Sequence, residues 1–246
     1  MSNLAGTDAT QDYYQNYWQH PLFEDCPYVR WKAELTRNHP RVKACSALLD
    51  VGCGGGAILS AIGRPDARLC GVEVAPDAVR ALAERGFEGA LVDLNEGVLP
   101  YPPATFDVVL CYDVFEHLFG PESLLREIHR VLKGDGVALL CVPNTLNVFN
   151  RVVFALGNYV DIMDTSHRAG ELFSDHIRLF SKTLFEKFLA RGSFRTTEKH
   201  FYFPEEFTDP RFKLPRRMTR LVTVPGLPRR LPDLFALGFL YACVKG

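Results

Sequence analysis

Three acids and a glycine turn carry the chemistry that this chain can be expected to do. The run Leu48-Leu49-Asp50-Val51-Gly52-Cys53-Gly54-Gly55-Gly56 joins a buried-strand pattern to an acid and then to glycines. Glycine permits a tight turn and lets a ligand come close to the backbone. Asp50 stands two residues before the first glycine, and Glu73 and Asp93 close the next two apolar runs. At those places a carboxylate could hold a cationic amino group (Asp50), chelate ribose hydroxyls (Glu73) and accept from an adenine amino group (Asp93). The glycines alone leave a second account open, because Gly52-x-Gly54-x-x-Ala57 also satisfies the dinucleotide fingerprint, in which a helix N-terminus receives a pyrophosphate. Asp50 would repel a pyrophosphate. A ligand with a sulfonium, an amino-acid head, a ribose and an adenine suits the three acids better.

Positioning such a site takes a sheet flanked by helices, and the pattern from Ala47 onward supplies one. Apolar runs at 47–52, 68–73, 89–93, 106–112 and 136–142 read as strands. Between them, Pro76 to Arg85 begins with proline in its first turn and stops at Gly86, while Pro121 to Lys133 carries Leu124, Leu125, Ile128, Val131 and Leu132 on one face before Gly134. These are crossover helices, and the alternation predicts an α/β fold with parallel central strands. Residues 144–180 hold apolar and aromatic side chains without a clean period over most of their length and read as an insertion on the acceptor side. Ser181 to Arg191 regains helical spacing, 196–203 reads as a strand, and 235–244 as the last one. Ahead of all this, Tyr13, Tyr14, Tyr17 and Trp18 recur at helical spacing within an N-terminal helical cover spanning 1–40.

Composition narrows the partners. A chain of 246 residues, 47% hydrophobic, can bury one full core and is read as a single domain, 1–246. Its net charge of −1 gives no global attraction to nucleic acid or to an anionic membrane. Seven cysteines (Cys26, Cys45, Cys53, Cys70, Cys111, Cys141, Cys243) show no Cys-x-x-Cys pairing and sit mostly in strand-like contexts, which favours a reducing cytoplasm. Met1 to Gln11 lacks the basic and apolar regions of a secretory signal, and no apolar run is long enough to span a bilayer. Within the proline-containing segment 204–234, Arg211, Lys213, Arg216, Arg217, Arg220, Arg229 and Arg230 stand without an acid between them. Prolines at 215, 225, 228 and 232 break any continuous amphipathic helix there, so a solvated face is expected in preference to peripheral membrane contact, and no nucleic-acid module is apparent.

The chain resembles the class I S-adenosylmethionine-dependent methyltransferases over roughly Ala47 to Gly192. The resemblance lies in the glycine run above, Gly71-Val72-Glu73-Val74-Ala75-Pro76, Phe106-Asp107-Val108-Val109-Leu110, Glu116-His117-Leu118 and Arg130-Val131-Leu132-Lys133-x-x-Gly136. Asp93-Leu94-Asn95-Glu96-Gly97 and Val142-Pro143-Asn144 are most similar to the MetW-like and ubiquinone-biosynthesis-like branches. The resemblance implies a Rossmann-like, doubly wound seven-stranded sheet in the order 3-2-1-4-5-7-6 with the last strand antiparallel. It also implies that Gly52, Cys53 and Gly54 approach the methionyl part, that Glu73 binds the ribose, that Val74 and Asp93 with Leu94 flank the adenine, and that Cys111 or Tyr112 contributes backbone near the amino group. Many relatives close an N-terminal helix over the cofactor, which makes Tyr14 a candidate contact.

Methyl transfer from a sulfonium needs alignment and exclusion of water, and an alcohol or phenol acceptor also needs a base. His117 and His176 are the candidate bases, each with a structural alternative; His167, inside the insertion, is expected to be exposed. Helical spacing would put Asp113, Glu116 and His117 on one face. In quinone O-methyltransferases a similar Glu-x-x-Glu-His binds metal, but Asp113 replaces its first glutamate, and no metal is expected here. Phe149, Phe154, Tyr159, Ile162 and Met163 suggest an apolar acceptor pocket. The expected activity is methyl transfer to a small, partly apolar acceptor, at oxygen in preference to nitrogen or carbon. Two rivals are a cofactor-binding activator of a partner enzyme and a nicotinamide-dependent oxidoreductase.

Overall fold

Parallel strands covered by helices on both faces read as near-continuous apolar runs, and the central strands of this chain do so apart from Asp50 in the first and Asp107 in the fourth. The computed structural model describes residues 27–96, 98–155, 176–203 and 227–246. In chain order come α1 (Pro27–Asn38), α2 (Pro40–Ala44), β1 (Ala47–Val51), α3 (Ala57–Ile62), β2 (Arg68–Glu73), α4 (Pro76–Glu84), β3 (Glu88–Leu91) and β4 (Phe106–Tyr112). A 3-10 turn at Phe115–His117 leads to α5 (Pro121–Val131), β5 (Leu132–Pro143), α6 (Val148–Ala155), α7 (Lys182–Arg191) and β6 (Phe194–Tyr202). Two short helices, α8 (Leu227–Arg230) and α9 (Pro232–Phe235), precede β7 (Gly238–Lys245).

The seven strands form one sheet in the order β3-β2-β1-β4-β5-β7-β6. Neighbours from β3 through β5 pair in parallel, and β7 runs antiparallel to both β5 and β6. The expected topology is thus the observed one. Each face of the sheet carries a core. One holds Leu124, Leu125, Ile128 and Val131 of α5 with Phe185, Phe188 and Leu189 of α7; the other holds Leu48, Leu110, Tyr112 and Leu139 with Tyr28, Trp31 and Leu35 of α1 packed against them. Among the described residues no helix is long and apolar enough to cross a membrane, and Cys45, Cys53, Cys70, Cys111, Cys141 and Cys243 are free thiols, all buried except Cys53, which is partly covered.

The differences from expectation are local. β3 ends at Leu91 rather than 93, because the chain leaves the sheet after Val92 N donates to Glu73 O (2.8 Å). β5 starts at Leu132, so the helix expected to reach Lys133 stops at Val131. The last strand starts at Gly238 rather than 235; Phe235, expected to begin it, instead ends α9, which Pro232 opens in its first turn. The stretch after Pro143, which showed no clean period, contains α6. The N-terminal aromatic cluster with Tyr14, His167, Tyr159, Ile162, Met163 and most of the basic segment lie outside the described residues.

Candidate functional site

Strand order reverses direction between β1 and β4, and in open α/β sheets the crevice beyond the carboxyl ends of such a pair is where ligands bind. Side chains alternate along a strand, so in β1 Leu49 and Val51 enter one core while Leu48 and Asp50 face α1. Asp50 is 3% exposed, and its Oδ2 is buried with no hydrogen-bond partner among the described residues. Burial pushes its pKa up to about 7; the Lys32 ammonium pulls it down and Glu73 pushes it further up. A cation or a hydrogen-bond donor brought to that oxygen would offset the cost of ionising the acid there.

The glycine turn follows directly. Gly52, Gly54 and Gly56 all adopt left-handed backbone (φ 71°, 51° and 82°). Gly52 N donates to Val72 O at 2.9 Å, and a Cβ at Gly52 would collide with Val114 Cγ2. At Gly54 a Cβ would meet no atom within 4 Å, so this glycine borders open space. Glu73, at the end of β2, reaches across to accept from Gly54 N (2.9 Å) and from Val74 N (2.7 Å). Burial raises its pKa and those amides oppose the rise. A carboxylate offers about four acceptor positions, so two such bonds leave room for hydroxyl donors. An orphaned acid, an open cradle and a braced second acid fit the amino-acid head and ribose of S-adenosylmethionine.

The other expected cofactor residues sit as follows. Cys53 turns into the sheet: its thiol donates to Val72 O at 3.5 Å and its Sγ fills the space that a side chain at Gly71 would take. Asp93 lies past the end of β3 and accepts from Asn95 N at 2.9 Å, so in this conformation its carboxylate caps a turn. Leu94 is buried, with Cδ1 3.9 Å from the position of a Cβ on Gly52. Cys111 and Tyr112 close β4 opposite Leu140 and Cys141. The Tyr112 hydroxyl lies 2.7 Å from Thr36 Oγ1.

The turn after β4 separates residues that the spacing grouped together. Asp113 takes a left-handed backbone (φ 55°), and its side chain goes to α1, accepting from Tyr28 Oη (3.1 Å) and Lys32 Nζ (2.5 Å). Glu116 and His117 lie in a 3-10 turn and are joined by His176 instead. The imidazoles of His117 and His176 meet edge to face with centroids 4.4 Å apart, and His176 Nε2 is 4.0 Å from Glu116 Oε1. Backbone bonds from Ile177 N (2.9 Å) and Arg178 N (3.0 Å) to Glu116 O hold the two segments together. Burial, aided by His117 and opposed by Asp113, pushes the His176 pKa down to about 3. Ligand atoms of Glu116, His117 and His176 lie within 4.8 Å of one another, a set that can also hold a divalent cation. His117 N donates to Val114 O at 3.0 Å, and the Val114 side chain lies against Gly52, so the histidine turn is anchored to the glycine turn.

Residues 49–140 match the family described as "Methyltransferase domain". They are a domain of the class I S-adenosylmethionine-dependent methyltransferase superfamily. Among curated proteins, a "Ubiquinone biosynthesis O-methyltransferase" of Xylella fastidiosa is 33% identical over 108 residues, 42% of this chain and 44% of that protein. The alignment thus spans less than half the length of the relative it matches. Among solved structures, an S-adenosylmethionine-dependent methyltransferase from Archaeoglobus fulgidus superposes with a TM-score of 0.63 at 19% identity, covering 95% of this chain and 100% of that one. The "[4+2]-Cyclase SpnF" superposes with a TM-score of 0.56 at 18% identity, covering 93% and 86%. A shared fold therefore leaves the reaction to be argued from the site.

Spacing had not singled out Lys32, Tyr28, Thr36 or Val114. The signal for the first three was available: Tyr28, Trp31, Lys32, Leu35 and Thr36 recur at i, i+3, i+4, i+7 and i+8, which puts a lysine on the inward stripe of a helix.

Proposed function

We propose that this chain catalyses S-adenosylmethionine-dependent methyl transfer to an oxygen of a small, partly apolar acceptor. The observation that carries the reading is the continuity just described: an orphaned acid and an open glycine turn on one side of Val114, and a buried Glu116 with two imidazoles on the other. When bound, S-adenosylmethionine supplies a methyl electrophile whose departing sulfur keeps the electron pair of the broken bond. The protein aligns the acceptor, excludes water and takes a proton. His176 is the proposed acceptor of the hydroxyl proton as the oxygen attacks; burial disfavours its protonated form, and the Glu116 carboxyl, 4.0 Å from its Nε2, is the group placed to offset that cost. His117, half-buried against it, relays the proton outward. The similarity to an O-methyltransferase of Xylella fastidiosa supports oxygen as the acceptor atom. Free thiols in the described core support a reducing cytoplasm as the working compartment.

His117→Ala and His176→Ala are each expected to keep the affinity for S-adenosylhomocysteine within about threefold and to lower turnover on phenolic acceptors by about 10²-fold or more. Unchanged turnover would remove that residue from the base role. The compact Glu116, His117 and His176 set favours one second reading, metal assistance: loss of turnover on chelation, restored by a divalent cation, would replace the proton relay with it. Tight cofactor binding with no transfer to any component of a cell extract, together with a stable protein complex, would instead favour an activator.

A further inference from the structure

Arg126 and His129 stand three residues apart on α5, which puts them on one face of that helix. With Arg191 at the end of α7, and Gly192 and Ser193 beyond it, they line a cleft of about 270 Å³ that no acid lines. Lys245, closing β7, adds a fourth basic group: burial lowers the His129 pKa, and the Lys245 charge lowers it further. Arg126 donates to Ser123 Oγ (3.0 Å), and the His129 ring meets Phe194 edge to face with centroids 5.4 Å apart. Arg64, Arg68 and Arg130 each hold an acid at 2.7 Å. Arg126 and Arg191 hold none among the described residues.

Basic side chains gather at helix C-termini because the unpaired carbonyls there favour positive charge. Here backbone amides already take those carbonyls. At the end of α7, Gly192 N donates to Phe188 O (3.2 Å) and Leu189 O (3.1 Å), and Ser193 N to Ala190 O (3.1 Å). At the end of α5, Leu132 N donates to Ile128 O, Ala104 N to Arg130 O (2.9 Å) and Thr105 N to Val131 O (2.8 Å). Arg126 also stands more than a turn before the end of its helix, and Lys245 is on a strand. Capping therefore leaves this charge unspent, and like charges held together without a counter-ion repel. We propose that the cleft is a binding site for a compact phosphate monoester, with the two guanidinium groups pairing its dianion. A guanidinium fork matches the spacing of phosphate oxygens. The volume falls just short of the roughly 300–1,000 Å³ of sites for drug-sized ligands, which suits a small phosphorylated molecule. The cleft shares no residue with the glycine turn or the histidine cluster and stands independently of the methyl-donor reading.

Calorimetric titration of the full chain with glycerol 3-phosphate tests the site, with glycerol as the uncharged control. One saturable site is expected for the phosphate and none for glycerol. Arg126→Gln and Arg191→Gln should each weaken binding about tenfold, and the double variant should abolish it. Both arginines are exposed, so melting temperatures should not move. Vesicles of phosphatidylcholine with phosphatidate carry the same monoester on a lipid; capture by them that the double variant loses would support the site and make a membrane surface its source of phosphate. Arg195→Gln, on β6 and outside the lining, is the charge control. An equal loss there would reduce the effect to general surface attraction and overturn the proposal, as would absence of saturable binding to both probes. Tighter binding of a phosphodiester oligonucleotide, lost in the same two variants, would overturn it in favour of a nucleic-acid surface.

Discussion

The two ends of the sheet treat carboxylates in opposite ways. At the amino ends of the strands, Asp107 accepts from Ser46 N and Ala47 N (both 2.9 Å) and from Lys133 Nζ (2.7 Å), and Glu88 pairs with Arg68 through two bonds of 2.8 and 2.7 Å. At the carboxyl ends, Asp50 keeps a buried oxygen without a partner among the described residues, and Asp113 adopts a backbone that side chains rarely take. One end is assembled for stability. The other leaves one buried acid oxygen unsatisfied and one backbone strained, features that cluster at binding edges.

The largest effect should come from Asp50→Asn. Removing the charge that meets the ligand's ammonium should weaken S-adenosylhomocysteine binding about 100-fold or more, read by calorimetry. The same change should stabilise the unliganded protein. Because the folded-state pKa of about 7 lies above the ordinary 3.8, the folded protein keeps a proton that the unfolded chain has already lost between those values. Stability therefore falls as pH rises through that window, and at pH 8 Asn should recover on the order of 2 kcal/mol in denaturant melts. Wild-type affinity should rise with pH up to about 7, since the ligand needs the ionised acid. A variant that binds as well as wild type would remove Asp50 from the site.

Gly52→Ala and Gly54→Ala separate scaffold from cradle at turn positions two residues apart. Both demand left-handed backbone, at a cost of about 1 kcal/mol for alanine. Only at Gly52 does the added methyl also run into Val114, and a total loss of about 3 kcal/mol is expected there, with binding lost as well. At Gly54 the methyl enters open space, so melting should shift little while affinity drops about tenfold because the methyl occupies the ligand's volume. Equal shifts in melting would show that the open space belongs to the fold and not to the ligand.

The sheet was legible because its strands and crossovers carry local signals: β1 and β4 apolar apart from one aspartate each, proline-started α4 and α5, and Gly86 to end a helix. The glycine turn and Glu73 were legible for the same reason, being local in sequence. What failed depends on backbone conformation or on distant contacts. Regular spacing assigned Asp113 to the face of Glu116 and His117, but its left-handed φ turns the side chain to a helix some eighty residues earlier in the chain. His176 joins that cluster only because the backbone after it bonds Glu116 O, a contact with no trace in spacing. The apolar run entering the last strand misled because Pro232 starts a helical turn.

The smallest effect should come from the satisfied end. Burial alone would raise the Asp107 pKa, but the Lys133 ammonium and the amides of Ala47 and Ser46 outweigh it and hold the carboxyl below its ordinary value. Its contribution to stability is therefore present above the unfolded pKa, near about 4, and is lost as pH falls through the folded one. Asp107→Asn keeps one acceptor oxygen but forfeits the charge, so a loss of about 1 kcal/mol at pH 7 is expected, shrinking toward zero in acid. Cofactor affinity should stay within twofold, because the side chain sits at the far end of β4 from Asp113. The two aspartates then have opposite pH signatures on neighbouring strands: substitution at Asp50 stabilises most in alkali, and substitution at Asp107 destabilises only once the carboxylate would have ionised. A tenfold loss of affinity in Asp107→Asn would show that the two ends of the sheet are coupled, and the division of labour between them would fall.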